Sequence, residues 1–183
     1  MFKDMKLSDE LNQEFRNKSS FQTTQVELSV KVLTSGHWPN DGKEAVSLGS
    51  LPQEISLAMA SFTQFYFSKY NQGRQLNWKL SLGSAELRGN FGASKRYEFQ
   101  CSSYQMFLLL LFNEHEVLTY QQVLQITQIP VQDLHMHLIP LIKCKVIAKN
   151  PNTTSFSAED ELRVNLDYKS NLFRNKLPVM VSK

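Results

Sequence analysis

The sequence predicts an α+β fold: one isolated helix, a small four-stranded sheet with a covering helix, and then a winged-helix domain of three helices and a β-hairpin. Two observations carry this prediction. Up to about residue 101, stretches with strand periodicity surround one helical stretch, and beyond it helical spacing dominates until a final pair of short strand patterns. The 183 residues are also enough to bury a hydrophobic core without disulfides or metals.

Composition favours an ordinary globular protein. Hydrophobic residues make up 42% and charged residues 20% of the chain, and the net charge is +3. That mild surplus neither requires nor excludes nucleic acid, because a binder clusters its charge. Cys101 and Cys144 have no CxxC spacing, and the charged N-terminus predicts no signal peptide, so a reducing intracellular compartment fits best. The longest apolar run, 106–112, is too short to span a membrane.

The first helix and the first strand follow from two different periods. A helix over 1–18 is predicted from a helical stripe of apolar residues: Phe2, Met5, Leu11 and Phe15. After a polar linker, "VELSVKV" alternates apolar and polar residues, which predicts a strand over Val26–Leu33 with one buried face. The strand leads into "TSGHWP", where we interpret Trp38 as an aromatic plug at the end of the sheet rather than as part of a ligand cage.

A covering helix and three further strands complete the predicted sheet. Ser50 followed by Gln53 is a capping-box signature for the helix, whose apolar positions are Ile55, Met59, Phe62, Phe65 and Tyr66. The strands are predicted at Gln75–Leu82, Glu86–Phe91 and Arg96–Cys101, separated by Gly83 and Gly92. Leu76, Trp78 and Leu80 share one strand face, so Trp78 is predicted to be a core residue under the helix.

From Ser102 the chain predicts helices. "SSYQMFLLLLFN" has the composition of a buried helix, Thr119 with Gln122 caps a second, and Val131–Lys143 forms a third that contains Pro140. "KVIAKN" and "LRVNL" predict a hairpin around the polar loop 151–161. Three helices and then a hairpin is the winged-helix order.

No stretch of the sequence predicts an active site, a cofactor site or a metal centre. His135 and His137 are two positions apart on a helix and therefore do not share a face, and His37 and His115 have no ligand-spaced partner. There is no phosphate-binding loop and no nucleophile motif. The acidic run Glu159–Glu161 is interpreted as a solvated loop tip.

A winged-helix nucleic-acid binder is the alternative interpretation. The third helix would be its recognition helix, yet its early residues are Gln132, Asp133 and His135, and no Arg or Lys occurs before Lys143. Asp133 would face phosphate and repel it. A winged helix used for packing is therefore favoured.

Five stretches in the same order resemble the C-terminal region of cullins, the scaffold subunits of RING ubiquitin ligases. The resemblance covers about residues 1–177 and rests on these stretches: "MFKDMKLSDELNQEF", "VKVLTSGHWP", "FYFSKYNQGRQLNWKLSLGSAEL", "SSYQMFLLLLFNEHEVLTYQQVLQITQIP" and "NLFRNKL". The last of them resembles the closing strand of the family. It implies four parts: 1–18 as the terminal helix of a truncated helical bundle, 25–101 as an α/β domain, 102–177 as a winged-helix domain and 178–183 as a tail.

The resemblance also implies a function. The α/β sheet of such a protein accepts a β-strand from a RING-box protein, a zinc-binding RING subunit that recruits the ubiquitin-loaded E2, and the cullin itself is a non-catalytic scaffold. The residues expected to receive the strand are Leu28, Val30, Val32, Leu76, Trp78 and Leu87. The residues expected to shape turns are Gly36, Trp38, Pro39, Gly73 and Gly83. The modifier-acceptor lysine of the family lies in a second winged helix, and we assign that role to no lysine here. A cytoplasmic and nuclear location is expected.

Overall fold

The structure, a computed structural model, describes residues 2–18, 26–34, 51–70, 73–92 and 95–180. Its helices are α1 (Phe2–Asn17), α2 (Gln53–Lys69), α3 (Ser103–Leu111), α4 (Tyr120–Thr127) and α5 (Val131–Lys143). Its strands are β1 (Ser84–Phe91), β2 (Lys95–Ser102), β3 (Leu118–Thr119), β4 (Ile147–Asn150), β5 (Glu161–Val164) and β6 (Arg174–Lys176). The chain divides into two compact units: unit 1 contains the described residues up to Trp78, and unit 2 contains those from Lys79 onward.

Unit 1 is built on α1 and α2. Its buried core consists of Leu11, Phe15, Val30, Phe62, Phe65 and Tyr66. The Phe15 ring lies 5.3 Å from the Phe62 ring and 5.4 Å from the Phe65 ring, centroid to centroid. The prediction of an isolated first helix is therefore wrong, because the apolar stripe of α1 is covered by α2.

The segment 26–34 is extended but belongs to neither sheet of the described chain. Its apolar residues do face one side, as predicted: Val30 is buried, and Leu28 and Val32 pack partly buried against the core of unit 1. The segment predicted as the strand Gln75–Leu82 is also different, since Leu80–Leu82 form a 3-10 turn closed by hydrogen bonds from Leu82 N–H and Gly83 N–H. The predicted four-stranded sheet is therefore wrong.

Unit 2 instead contains a three-stranded sheet in the order β1-β2-β6. β1 and β2 are antiparallel over eight residue pairs, from Ser84 opposite Ser102 to Phe91 opposite Lys95. β6 joins β2 in parallel, with Asn175 opposite Phe99. The Asn175 side chain accepts a hydrogen bond from Ser170 and donates one to Leu172 O, so it holds the turn that leads into β6. One face of the sheet buries an aromatic cluster: Phe91, Tyr97, Phe99 and Tyr168.

Three helices and a hairpin follow β2, in the predicted order. β4 and β5 form the antiparallel hairpin, and the short strand β3 between α3 and α4 pairs with the other edge of β5. The predicted capping box of Thr119 and Gln122 is confirmed at the start of α4, and Ser102 with Gln105 forms another at the start of α3. The proposed cap of α2 differs, since Pro52 is the N-cap residue and Ser50 lies outside the described residues.

None of the helices within the described ranges is long and apolar enough to cross a membrane.

Candidate partner-binding site

Five of the six residues predicted to receive a partner strand lie together in unit 1. Leu28, Val30 and Val32 on the extended segment, and Leu76 and Trp78 after α2, all pack against the same aromatic core. Leu87 lies on β1 in unit 2, opposite Phe99. The six residues therefore do not form the continuous face of one sheet that the sequence predicted.

Trp78, predicted to be a core residue, packs partly buried against the core of unit 1, and its polar atom is hydrogen-bonded. Its ring makes an edge contact with Phe62 at 6.0 Å between centroids. Its indole Nε1–H donates to Thr63 Oγ1 at 3.3 Å. An indole that is half buried and hydrogen-bonded in this way anchors the 73–78 segment on α2.

The glycines predicted to shape turns are described only in part. Gly73 has a φ of +71°, a conformation that other residues adopt at a cost. A Cβ on Gly83 would overlap Ser103 Oγ, so the close approach of this turn to the start of α3 requires glycine. Gly36, Trp38 and Pro39, with His37, lie outside the described residues.

Two polar residues of α1, which the sequence analysis missed, hold the extended segment in place. Val30 N–H donates to Asn12 Oδ1, and Asn12 Nδ2 donates to Val30 O, both at 2.8 Å. One helical turn earlier, Ser8 Oγ accepts from Val32 N–H at 2.9 Å, and its single proton can go to Asp4 O at 2.7 Å or to Val32 O at 3.1 Å. Ser8 and Asn12 are 1% and 7% exposed, so these bonds are made out of contact with water. The sequence does contain a signal for this contact: the polar residues Ser8 and Asn12 are four positions apart and adjoin the apolar residues Leu7 and Leu11.

The opposite edge of the same segment carries a different set of backbone groups. In an extended chain the N–H and C=O groups of successive residues point to opposite edges. Because α1 bonds both groups of Val30 and the N–H of Val32, we expect the backbone groups of Ser29 and Lys31 to point to the other edge. Within the described ranges, neither residue has a backbone hydrogen-bond partner. An edge of this kind can accept a further strand.

The histidines of the third helix are structural residues with separate partners. His135 Nε2 lies 2.8 Å from Tyr120 Oη, and its ring stacks on Phe156 with centroids 4.8 Å apart. His137 is buried, with Nδ1 2.7 Å from Ser102 Oγ. No group of three His, Cys, Asp or Glu side chains in the described part of the chain could hold a metal ion.

The acidic run Glu159–Glu161 was predicted to be a solvated loop tip; Glu159 and Glu161 are exposed, but Asp160 between them is not. Asp160 is buried, 4% exposed, and its Oδ2 lies 2.9 Å from Lys149 Nζ. Lys149 also donates to Pro151 O and Thr153 Oγ1. The hydrogen bond from Lys149, with a further one from Ser157 N–H, lowers the pKa of Asp160. The sequence prediction was wrong because the partner of Asp160 lies on the other strand of the hairpin.

The early part of α5 does not resemble a nucleic-acid-reading surface. Asp133 is buried, 5% exposed, so it does not face outward toward a phosphate as the sequence suggested. Val131 and Gln132 are the exposed residues of the first turn, and neither carries a positive charge.

Comparison with known proteins identifies the class of domain. The model of the cullin alpha+beta domain matches residues 32–168, about three quarters of the chain. The α+β architecture described above is consistent with that match, and the chain belongs to the cullin family.

Individual cullins are similar over most of this chain. Cullin-3 of Dictyostelium discoideum is 39% identical over 160 residues, which cover 85% of this chain and 20% of the relative. Cullin-3 of Schizosaccharomyces pombe is 35% identical over 184 residues, and Cullin-4A of Mus musculus is 34% identical over 181; each alignment covers 97% of this chain and 23% of the relative. The chain thus spans about a fifth to a quarter of the length of these relatives.

Proposed function

We propose that the chain is the RING-binding part of a cullin scaffold in a ubiquitin ligase. Membership of the cullin family is the observation that carries this proposal. The scaffold contributes no reacting group: it holds a RING-box protein, and the RING-box protein holds the ubiquitin-loaded E2. Such a complex works in the cytoplasm and nucleus, and residues 102–177 serve in it as a winged-helix packing module.

The proposed mode of capture is β-strand addition. An extended segment of the RING-box protein pairs with an unpaired backbone edge of this chain, so that main-chain hydrogen bonds supply affinity and alternate side chains set the register. The segment 26–34 suits this role because its apolar side is anchored on the core of unit 1 and its far edge is open within the described residues. Leu28, Val30 and Val32 back the site, and Leu76 and Trp78 are the other residues of unit 1 assigned to it.

The test is capture of a RING-box protein by the 183-residue chain. We expect a one-to-one complex by size-exclusion chromatography with light scattering, and slower amide exchange in residues 26–34 when the partner is added. A ubiquitin-charged E2 should then join the complex only when the RING-box protein is present.

Two results would count against the proposal. One is a monomer that elutes unchanged with the RING-box protein. The other is a complex in which amide exchange of residues 26–34 and of β1 is the same as in the free chain, because strand addition must protect some edge amides.

A further inference from the structure

We infer that Ser8 and Asn12 are positioning residues that hold segment 26–34 as a pre-ordered strand edge, and that the partner strand bonds to Ser29 and Lys31. This inference rests on the proposed function and adds to it the register of the partner and the residues that prepare the site.

The first step is that α1 substitutes for a neighbouring strand. In a ladder, every second residue of a strand exchanges both its N–H and its C=O with one neighbour. Here Val30 makes both of those bonds with Asn12, and Val32 N–H donates to Ser8 Oγ. The Ser8 proton is shared between Val32 O and the nearer Asp4 O. The spacing fits because residues four apart on a helix are neighbours on one face.

The second step is that these bonds fix which residues are open. With both backbone groups of Val30 and the N–H of Val32 bonded to α1, Ser29 and Lys31 are left to present donors and acceptors two residues apart along the far edge. Their side chains are exposed and alternate with the buried apolar ones. A second extended backbone matches that spacing, so the occupant is a strand rather than a small ligand or a helix.

The third step is that the arrangement lowers the cost of capture. A nine-residue extended segment without a ladder would lose backbone freedom when it bound a strand. Buried side-chain hydrogen bonds from α1 restrict the segment beforehand, and a pre-ordered site binds more tightly for the same contacts.

The first experiment removes the hydrogen bonds that Ser8 and Asn12 make to segment 26–34, which we call the clamp, and separates their effect from general effects on the helix. In Ser8→Ala/Asn12→Ala, we expect affinity for the RING-box protein to fall about tenfold or more, as for the loss of one or two net hydrogen bonds. Exchange of the Val30 and Val32 amides should accelerate in the free chain. The matched control is Lys6→Ala/Glu10→Ala, which changes two exposed residues that are also four apart on the same helix.

The second experiment tests the register and does not disturb the clamp. Lys31→Pro removes an N–H that has no partner among the described residues, whereas Lys31→Ala keeps it. We expect Lys31→Pro to retain the wild-type Tm and to lose about tenfold or more in affinity, and Lys31→Ala to bind like wild type. This variant keeps the inference falsifiable if the double clamp variant fails to fold.

The outcomes are distinct. If wild type binds the RING-box protein and both the clamp variant and Lys31→Pro bind equally well, the inference is wrong and the proposed function stands. If the wild-type chain does not bind the RING-box protein, both the proposed function and the inference that rests on it are wrong. Alternating exchange in the free chain, slow at Val30 and Val32 and fast at Ser29 and Lys31, together with loss of binding in both variants, supports it.

Discussion

Two stretches of alternating polar and apolar residues satisfy their backbone hydrogen bonds by different means. In unit 2, β1 and β2 pair over eight residues, so each strand uses a neighbouring backbone. In unit 1, segment 26–34 uses the side chains of Ser8 and Asn12 for one edge, and Ser29 and Lys31 on its other edge have no backbone partner in the described part of the chain. The same sequence pattern therefore produces a backbone ladder in one unit and a segment held by helix side chains in the other.

The difference shows two ways in which an extended stretch of chain is held in place. A ladder distributes its bonds over a whole strand, and a single substitution removes few of them. The extended segment depends on two helix side chains and on the aromatic core beneath it. Substitutions in that core should therefore alter the open edge, whereas substitutions on the surface of the same helices should not.

The largest expected effect comes from Phe62→Ala in the core of unit 1. Phe62 is fully buried and its ring meets Phe15, Phe65, Tyr66 and Trp78, so truncation leaves a cavity. We expect a loss of about 3 to 5 kcal/mol in the free energy of unfolding, measured by urea denaturation.

The matched control for this prediction lies on the same helix. Phe67 is 38% exposed, and Phe67→Ala should cost less than about 1 kcal/mol. Equal losses for Phe62→Ala and Phe67→Ala would show that the aromatic cluster does not form the core of unit 1.

Trp78→Ala should have a smaller effect on the same core, because the indole is only partly buried. We expect a loss of about 2 kcal/mol, together with weaker capture of the RING-box protein. Trp78→Phe keeps a ring against Phe62 but loses the bond to Thr63 Oγ1, so it should cost about 1 kcal/mol. If Trp78→Ala is destabilised yet binds the partner with wild-type affinity, Trp78 is a core residue and not part of the site.

Asp160→Asn probes the hairpin of unit 2 through its pH dependence. Because Lys149 holds the pKa of Asp160 below its ordinary value of 3.8, ionised Asp160 stabilises the fold above about pH 4, and that contribution is lost as pH falls through the lowered pKa. We expect the variant to have a lower Tm than wild type at pH 7, with the gap closing at acid pH. Glu159→Gln, at the exposed neighbouring position, is the matched control and should keep the wild-type Tm at pH 7. A gap that stays constant down to pH 3 would contradict this assignment.

Elements with local signals could be predicted from the sequence. The cap at Thr119, the helical spacing of α5 and the alternation in β1 and β2 depend on neighbours a few residues away, and the structure has each of them. The resemblance likewise pointed to "NLFRNKL" as a closing strand, and Arg174–Lys176 does form β6.

The remaining features depend on partners far apart in sequence. Alternation at 26–32 shows that one side is buried, but it does not tell whether the backbone bonds a strand or the side chains of a helix. Asn12 lies 18 positions before Val30. Charge in "EDE" likewise does not reveal that Asp160 meets Lys149 across a hairpin. These are the places where the predicted sheet and the predicted loop tip were wrong.

The smallest expected effect is on the rates of cysteine modification. Cysteine modification reports on unit 2, and tryptophan fluorescence reports on unit 1. Both tryptophans of the sequence precede Lys79 and both cysteines follow it. Cys101 lies on β2, and burial raises the pKa of its thiol to about 12, whereas Cys144 is partly exposed. At pH 8 iodoacetamide should therefore modify Cys144 first, and Cys101 only as the β1–β2 ladder opens. Mass spectrometry of peptides over time measures both rates. Phe62→Ala should change the tryptophan fluorescence and leave the rate of Cys101 modification close to that of wild type. Equal modification rates of Cys101 and Cys144 in wild type would show that the ladder of unit 2 is open.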